Sequence, residues 1–305
     1  MIIVAGATGQ LGNKIAHHLR ANGAGVRLLV RPGHPRETMA ALGRFGAVLE
    51  VDFVDHAALS RACAGGSCVV SALSGLEDVI LGAQTRLLDA AVEARVPRFI
   101  PSDFCIDFTK IAPGRNRNLD LRRRFAARLD QADIAPTTIF NGMFSDLLIG
   151  KAPLILFPLR TVVYWGSADQ SLDFTTMDDT AAFTAAAAMD PTTPRVLSVA
   201  GAVANARELR DIASAVTGKT FHLVKAGSVG RLDLLSRATR KLVPQNGEVF
   251  PAWQGMQYLR DMFEGDAKLT PYDNNRYPIA WTPLRDVLAR RDQVPTTPLN
   301  RAATT

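Results

Sequence analysis

Short β-branched apolar runs alternate with longer helical patterns through the first half of the chain. IIVA (2–5), VRLLV (26–30), AVLEV (47–51), CVVSA (68–72), RFIPS (98–102) and TTIF (137–140) each read as a strand. Between them lie amphipathic stretches, most clearly residues 77–95, where Val79, Leu87, Leu88, Ala91 and Val92 share one side. This alternation predicts βαβ units, and hence an α/β fold of the Rossmann type: a doubly wound parallel sheet with helices on both faces. The rhythm weakens after about residue 150. LDFTTMDDTAAFTAAAAMD reads as a short strand and then a helix opening near Asp178 and Asp179, whose carboxylates suit a helix N-terminus. ARELRDIASAVTG (206–218) predicts a helix closed by Gly218. Further helices are expected at 227–243 and 253–264, and VPTTPLNRAATT is expected to fray. The organisation predicted is a dinucleotide-binding domain over 1–155 and a smaller, mainly helical substrate lobe over 156–305, with some segments returning to the sheet.

Composition narrows the partners. With 305 residues and 47% hydrophobic content, the chain can bury a large core. No basic n-region with a small-residue cleavage site stands near its start, so a cytoplasmic location is expected. The most apolar later stretch, APLILFPLRTVVYWG, holds a proline and an arginine and is too short for a bilayer; no membrane partner is expected. Net charge is +6, with Arg115, Arg117, Arg122, Arg123, Arg124 and Arg128 crowded together. They read as a solvated helix face, or in part as holding an anionic cofactor; without interleaved aromatics, nucleic acid is not expected. Cys63, Cys68 and Cys105 match no zinc spacing and read as buried thiols rather than a redox site. His17 and His18 are adjacent on one helix and cannot face one metal, and no metal is expected.

The glycines of MIIVAGATGQLGNKIAHHL are the strongest chemical signal. Gly6, Gly9 and Gly12 sit between a strand and a helix. There the first allows a tight turn, the second lets backbone N–H groups approach a pyrophosphate, and the third lets the helix pack closely on the strand. The second strand ends in VRLLVRPGHPR, with Arg31 where an NAD site would carry an acid. An arginine fork there suits a 2′-phosphate, helped by Arg36 or His34, so NADP(H) is the expected cofactor.

GATGQLG, VRPG, IPSDF (100–104), DFTTMDDTA (173–181) and DNNRYPIAWTPLRDVL (273–288) together resemble the NmrA-like, atypical short-chain dehydrogenase group, especially its isoflavone-reductase-like branch. The resemblance runs over nearly the whole chain in the family's order. It implies that Gly6, Thr8, Gly9, Gln10, Leu11 and Gly12 hold the pyrophosphate, with Arg31 and Arg36 at the 2′-phosphate. It places Ala72 and Leu73 beside the nicotinamide ribose, and Ser102, Asp103 and Phe104 at the nicotinamide end. Asn141, Gly142, Met143 and Phe144 would open onto substrate, although Met143 and Phe144 read equally as plain core. Phe250, Trp253 and Tyr258 would roof the pocket, or serve only as packing.

The usual short-chain acid–base pair is missing. None of Tyr164, Tyr258, Tyr272 and Tyr277 is followed by lysine four residues on. Isoflavone-reductase-like enzymes use instead a lysine on the helix before the sixth strand. Counting back from DIAPTTIF reaches Arg122, in DLRRRFAARL, and neighbouring registers supply only more arginine. A guanidinium stays protonated near neutral pH, so Arg122 can stabilise an oxyanion but cannot shuttle protons. Lys110, in FTKIAPG, is a possible replacement or a solvent-facing loop residue. Two functions remain open. One is an NADPH-dependent oxidoreductase that reduces a small conjugated or aromatic substrate. The other is a non-enzymatic NADP(H) sensor of the NmrA type, acting through a regulatory protein partner.

Overall fold

In the first half, six strands alternate with five helices: β1 (Ile2–Ala5), α1 (Gln10–Ala21), β2 (Val26–Val30), α2 (Arg36–Gly43), β3 (Ala47–Glu50), α3 (His56–Cys63), β4 (Cys68–Ser71), α4 (Gln84–Glu93), β5 (Arg98–Ile100), α5 (Arg117–Leu129) and β6 (Ala135–Pro136). The strands form one parallel sheet in the order β3–β2–β1–β4–β5–β6, a Rossmann-type arrangement. The computed structural model describes residues 1–293 apart from Lys151 and Asn246; the tail expected at 294–305 lies outside the described residues.

The strands are continuous apolar runs because both sheet faces are covered. Ile2, Val4, Leu28 and Val30 pack with Ile15 and Leu19 of α1, while Ile3, Ala5, Leu29 and Val69 pack with Leu59, Leu87 and Phe125 of the helices opposite. Burying each such large side chain contributes about 1.5–3 kcal/mol, so these two layers outweigh any local propensity.

The stretch expected as one helix over 77–95 opens as a π-turn, Asp78–Ala83, before α4 takes over. RFIPS stops as a strand at Ile100, because Pro101 has no N–H for the ladder. TTIF becomes β7 (Thr138–Phe140), the direct continuation of β6. Thr137 still donates to Phe99 O at 2.9 Å, while Thr138 donates to Arg195 O on the other side, also at 2.9 Å.

The second half contains β8 (Met143–Phe144), β9 (Ile155–Leu156), β10 (Thr161–Trp165), β11 (Leu172–Thr175), α6 (Met177–Met189), β12 (Val196–Ser198), β13 (Ala202–Ala204), α7 (Ala206–Thr217), β14 (His222–Gly227), α8 (Val229–Leu242), α9 (Ala252–Glu264) and α10 (Leu284–Ala289). Strand β12 pairs parallel with β7, and α6 lies against α1, with Phe183 and Ala185 in the same apolar layer as Ile15. The alanine-rich sequence of α6 permits that close approach, and Lys14 bridges to Asp178 at 2.9 Å across it. The expected helix ends hold: α6 opens with Asp178 and Asp179 in its first turn, although Thr176 supplies the cap, and Gly218 closes α7 with φ +65°. Two small sheets, β14–β10–β9 and β13–β11–β8, complete this half. Residues of β11, α7 and α9 share its apolar core, including Phe174, Leu209, Leu259 and Phe263. Among the described residues no helix is long and apolar enough to cross a membrane.

Candidate functional site

The turn after β1 is built by close packing. Gly6 has φ +89°, and a Cβ on it would lie 2.6 Å from Ala72 O. A Cβ on Gly12 would lie 2.3 Å from Gly6 O, so only glycine lets α1 settle on the strand. Gly9 differs: its Cβ would meet only Gly6 O, at 3.3 Å, and otherwise open space. Gly9 begins α1 without a side-chain cap, and no acid stands in the first turn. α5, α6, α7 and α8 are capped by Asn116, Thr176, Asn205 and Ser228, whereas α2, α9 and α10, like α1, begin without a side-chain cap. The first-turn N–H groups of α1 thus lack the partner such helix ends need, and they present a positive end to an anion. Thr8, Gly9 and Gln10 are exposed there and Leu11 is half-buried. Arg31 and Arg36, just past β2, are exposed and have no hydrogen-bond or ion-pair partner among the described residues. These groups fit a phosphorylated dinucleotide: a cradle a side chain would fill, with two spare cations nearby.

The ends of β4 and β5 meet beside this turn. Ser102 Oγ donates to Leu73 O at 2.6 Å, and Ser102 N–H donates to Gln84 Oε1 at 3.0 Å. Gln84 is fully buried on α4, a role the sequence reading missed. Its signal was a glutamine on the apolar side of a helix. Arg122 reaches back from α5, donating Nε to Ser102 O at 3.0 Å and Nη1 to Asn118 O at 3.2 Å. No carboxylate pairs with it among the described residues. Arg115, Arg123, Arg124 and Arg128 do have carboxylate partners, in Glu264, Asp120, Glu77 and Asp89. Arg117 clamps the carbonyls of Glu248 and Val249. The arginine cluster is thus mostly structural, and Arg122 is the member aimed at the strand ends.

Asp103 is fully buried, with Oδ2 accepting from Thr138 Oγ1 at 2.9 Å and Oδ1 without a partner. Burial raises its carboxyl pKa to about 6, and the Arg122 guanidinium opposes the rise. Phe104 is buried. Asn141, at the end of β7, is fully buried with neither amide atom bonded, and Ser145 Oγ is likewise unpartnered. Such groups cost free energy unless something satisfies them. Gly142, at φ +68°, permits the approach of Asp173 O, which a Cβ would meet at 2.3 Å. Met143 and Phe144 form β8 and are half-buried. Ala72 and Leu73 are half-buried beside Gly6.

The remaining candidates belong to the second half or to its contacts. Lys110 Nζ donates to Lys268 O at 2.7 Å and pairs with Asp107 at 3.6 Å. Trp253 is fully buried, faced by the guanidiniums of Arg117 and Arg240 and donating Nε1–H to Pro244 O at 2.8 Å. Phe250 is 59% exposed, with its ring 6.4 Å from that of half-buried Tyr258. Cys63, Cys68 and Cys105 are buried free thiols, and desolvation pushes them to about 11, 12 and 12, which leaves them unreactive.

Asp103 has a measurable consequence. Its carboxyl rises from 3.8 to about 6, so between these values the folded chain holds a proton that the unfolded chain releases. The contribution of Asp103 to stability therefore falls as pH rises through that window and is level above it. Asp103→Asn should remove this slope and gain on the order of 3 kcal/mol on wild type between pH 4 and pH 7. Urea unfolding at both pH values measures it; parallel losses in the two proteins would contradict the assignment.

A model of the NmrA-like family matches residues 1–229. The chain belongs to the NmrA-like family. Among its curated relatives is pinoresinol reductase 1 of Arabidopsis thaliana, 29% identical over 210 residues, which are 63% of this chain and 65% of the relative. A bifunctional pinoresinol-lariciresinol reductase of Linum usitatissimum is 31% identical over 198 residues, 60% of this chain and 63% of the relative. Each match spans less than two-thirds of the relative's own length. Among solved structures, AtPrR2 with NADP+ and (+)pinoresinol superposes with a TM-score of 0.76 at 22% identity, covering 94% of this chain and 97% of that one. An isoflavone reductase gives 0.79 at 21%, covering 95% and 98%. This NmrA-like chain thus shares the fold of isoflavone-reductase-like proteins over nearly its full length.

Proposed function

We propose that this NmrA-like chain is an NADPH-dependent reductase that reduces a small conjugated or aromatic compound. The observation that carries the reading is that the uncapped α1 terminus and the unpartnered polar atoms of Asp103 and Asn141 all follow the carboxyl ends of strands β1, β5 and β7. Ligands of open α/β sheets bind at such strand ends. The curated relatives, named as reductases of pinoresinol, favour a reductase over a sensor.

In this reading Gly6, Thr8, Gly9, Gln10, Leu11 and Gly12 hold the pyrophosphate through backbone N–H groups, and Arg31 with Arg36 takes the 2′-phosphate. Ala72, Leu73, Ser102, Asp103 and Phe104 wall the nicotinamide end, and Asn141 and Gly142 border the substrate. When bound, the nicotinamide supplies hydride. The Ser102–Leu73 hydrogen bond ties two strand ends together and keeps that wall in place. Arg122, at the position of the family lysine, stabilises negative charge on the acceptor and holds its own protons. Lys110 takes no part, since its amine is engaged by Lys268 O and Asp107.

NADPH is expected to bind at least about tenfold tighter than NADH, a difference of roughly 1.4 kcal/mol. Arg31→Glu should erase or invert that preference by repelling the 2′-phosphate. Calorimetric titrations of both cofactors on both proteins measure this, and equal affinities in wild type would overturn the cofactor assignment. Tight NADPH binding with no turnover of any acceptor, alongside recovery of a protein partner, would favour the sensor.

A further inference from the structure

Two donors left over by the fold come from different halves of the chain. Gln254, Gln257, Tyr258 and Asp261 recur at helical spacing and form one stripe of α9. That stripe lies on the start of α5. Gln254 Nε2 donates to Asn116 Oδ1 at 2.7 Å, Asn116 Nδ2 donates to Asp261 at 2.9 Å, and Arg117 N–H donates to Gln257 Oε1 at 3.2 Å. One turn further along α5, Arg122 bonds to Asn118 O, and Asn118 Nδ2 donates to Val249 O at 2.8 Å. Phe250, next in the chain, sets its ring against Tyr258. The contacts therefore close around Arg122 and Tyr258, whose guanidinium and phenol lie near enough to influence each other electrostatically.

Neither group is used up by the protein. The phenols of Tyr272 and Tyr277 bond to the carboxylates of Asp173 and Asp190, each at 2.8 Å. Tyr258 has no hydrogen-bond partner among the described residues, and Arg122 spends its bonds on two carbonyls only. Burial raises the Tyr258 phenol above its ordinary range, so it keeps its proton and remains a donor.

We propose that Arg122 and Tyr258 form a two-donor cradle for one electron-rich oxygen, a phenolate, enolate or quinone carbonyl, of an aromatic ligand lying against Phe250. This rests on the reductase reading and specifies where the acceptor's oxygen sits. A permanent cation and a neutral O–H donor favour an oxygen that carries or gains charge. Asp103 and Cys105 beside Arg122, and Asp261 and Arg117 beside Tyr258, are the other ionisable groups facing the pair.

The probe is para-nitrophenol, whose phenolate is coloured, titrated into the full chain saturated with NADP+. Bound to wild type, it should ionise at least tenfold more readily than when free. Tyr258→Phe should weaken phenolate binding about tenfold, the worth of one hydrogen bond to a charge, with an unchanged melting temperature. Arg122→Leu should abolish the preference for phenolate; should that variant not fold, Arg122→Lys should retain part of it. Absence of phenol binding, or unchanged phenolate affinity in Tyr258→Phe, overturns the cradle. Loss of the reductase reading registers separately, as absence of NADPH oxidation by wild type with every acceptor.

Discussion

Quinones and activated enones are expected to exceed aryl ethers and unactivated carbonyls by about 10²–10⁴-fold in kcat/KM, the usual worth of a positioned acid. The first group stabilises its own anion after hydride arrives. The second needs a proton in the transition state; Arg122 cannot release one, and the Tyr258 phenol, raised above its ordinary range by burial, is a poor acid. Arg122→Lys should narrow the gap, because desolvation lowers the pKa of an ammonium into a useful range while a guanidinium remains charged. The lysine would also lose the bond from Nε to Ser102 O, so both classes should slow slightly while the ratio falls. NADPH oxidation followed across a panel of both classes, in both proteins, measures this. Equal rates on the two classes in wild type would mean that another proton donor serves the site.

Gly9→Val should leave the fold intact and abolish cofactor binding. A Cβ at Gly9 meets only Gly6 O at 3.3 Å, which small backbone shifts absorb. The same side chain would occupy the space above the first-turn N–H groups. Losing two charge-assisted hydrogen bonds there corresponds to roughly a hundredfold weaker NADPH binding or more. Gly12→Val is the opposite case, since its Cβ would lie 2.3 Å from Gly6 O. It should destabilise the chain by about 3 kcal/mol or more, as overpacking at backbone does. Thermal melts paired with tryptophan-fluorescence titrations separate the two outcomes. Unchanged NADPH affinity in a folded Gly9→Val protein would make the glycine turn purely structural.

The same distinction marks how far the sequence could be read. The glycine turn was legible because its backbone geometry is local, set by neighbours within a few residues. Arg122 was reachable by counting along a helix that precedes a recognisable strand. Gln84 and Thr138 were not, although one holds Ser102 and the other Asp103. Their roles depend on partners 18 and 35 residues away, and polar residues in apolar runs have many local explanations.

By itself the sequence determined the βαβ alternation, the Rossmann order's raw material and the turn after β1. Strand and helix periodicity, and the close approaches glycine permits, are properties of short segments. That some segments of the second half return to the first was expected from the sequence; tertiary structure decided that these are β12 and α6, accepted by β7 and α1. It also decided which arginines are spent. Arg115, Arg123, Arg124 and Arg128 look no different from Arg122 in the chain, yet those four form ion pairs with carboxylates and Arg122 forms none among the described residues. Likewise Trp253 is faced by two guanidiniums, while Tyr258, five residues on, has no hydrogen-bond partner among the described residues. The reason is physical: a charge or a phenol is committed by whatever non-local groups reach it, and those are assigned only when distant segments pack.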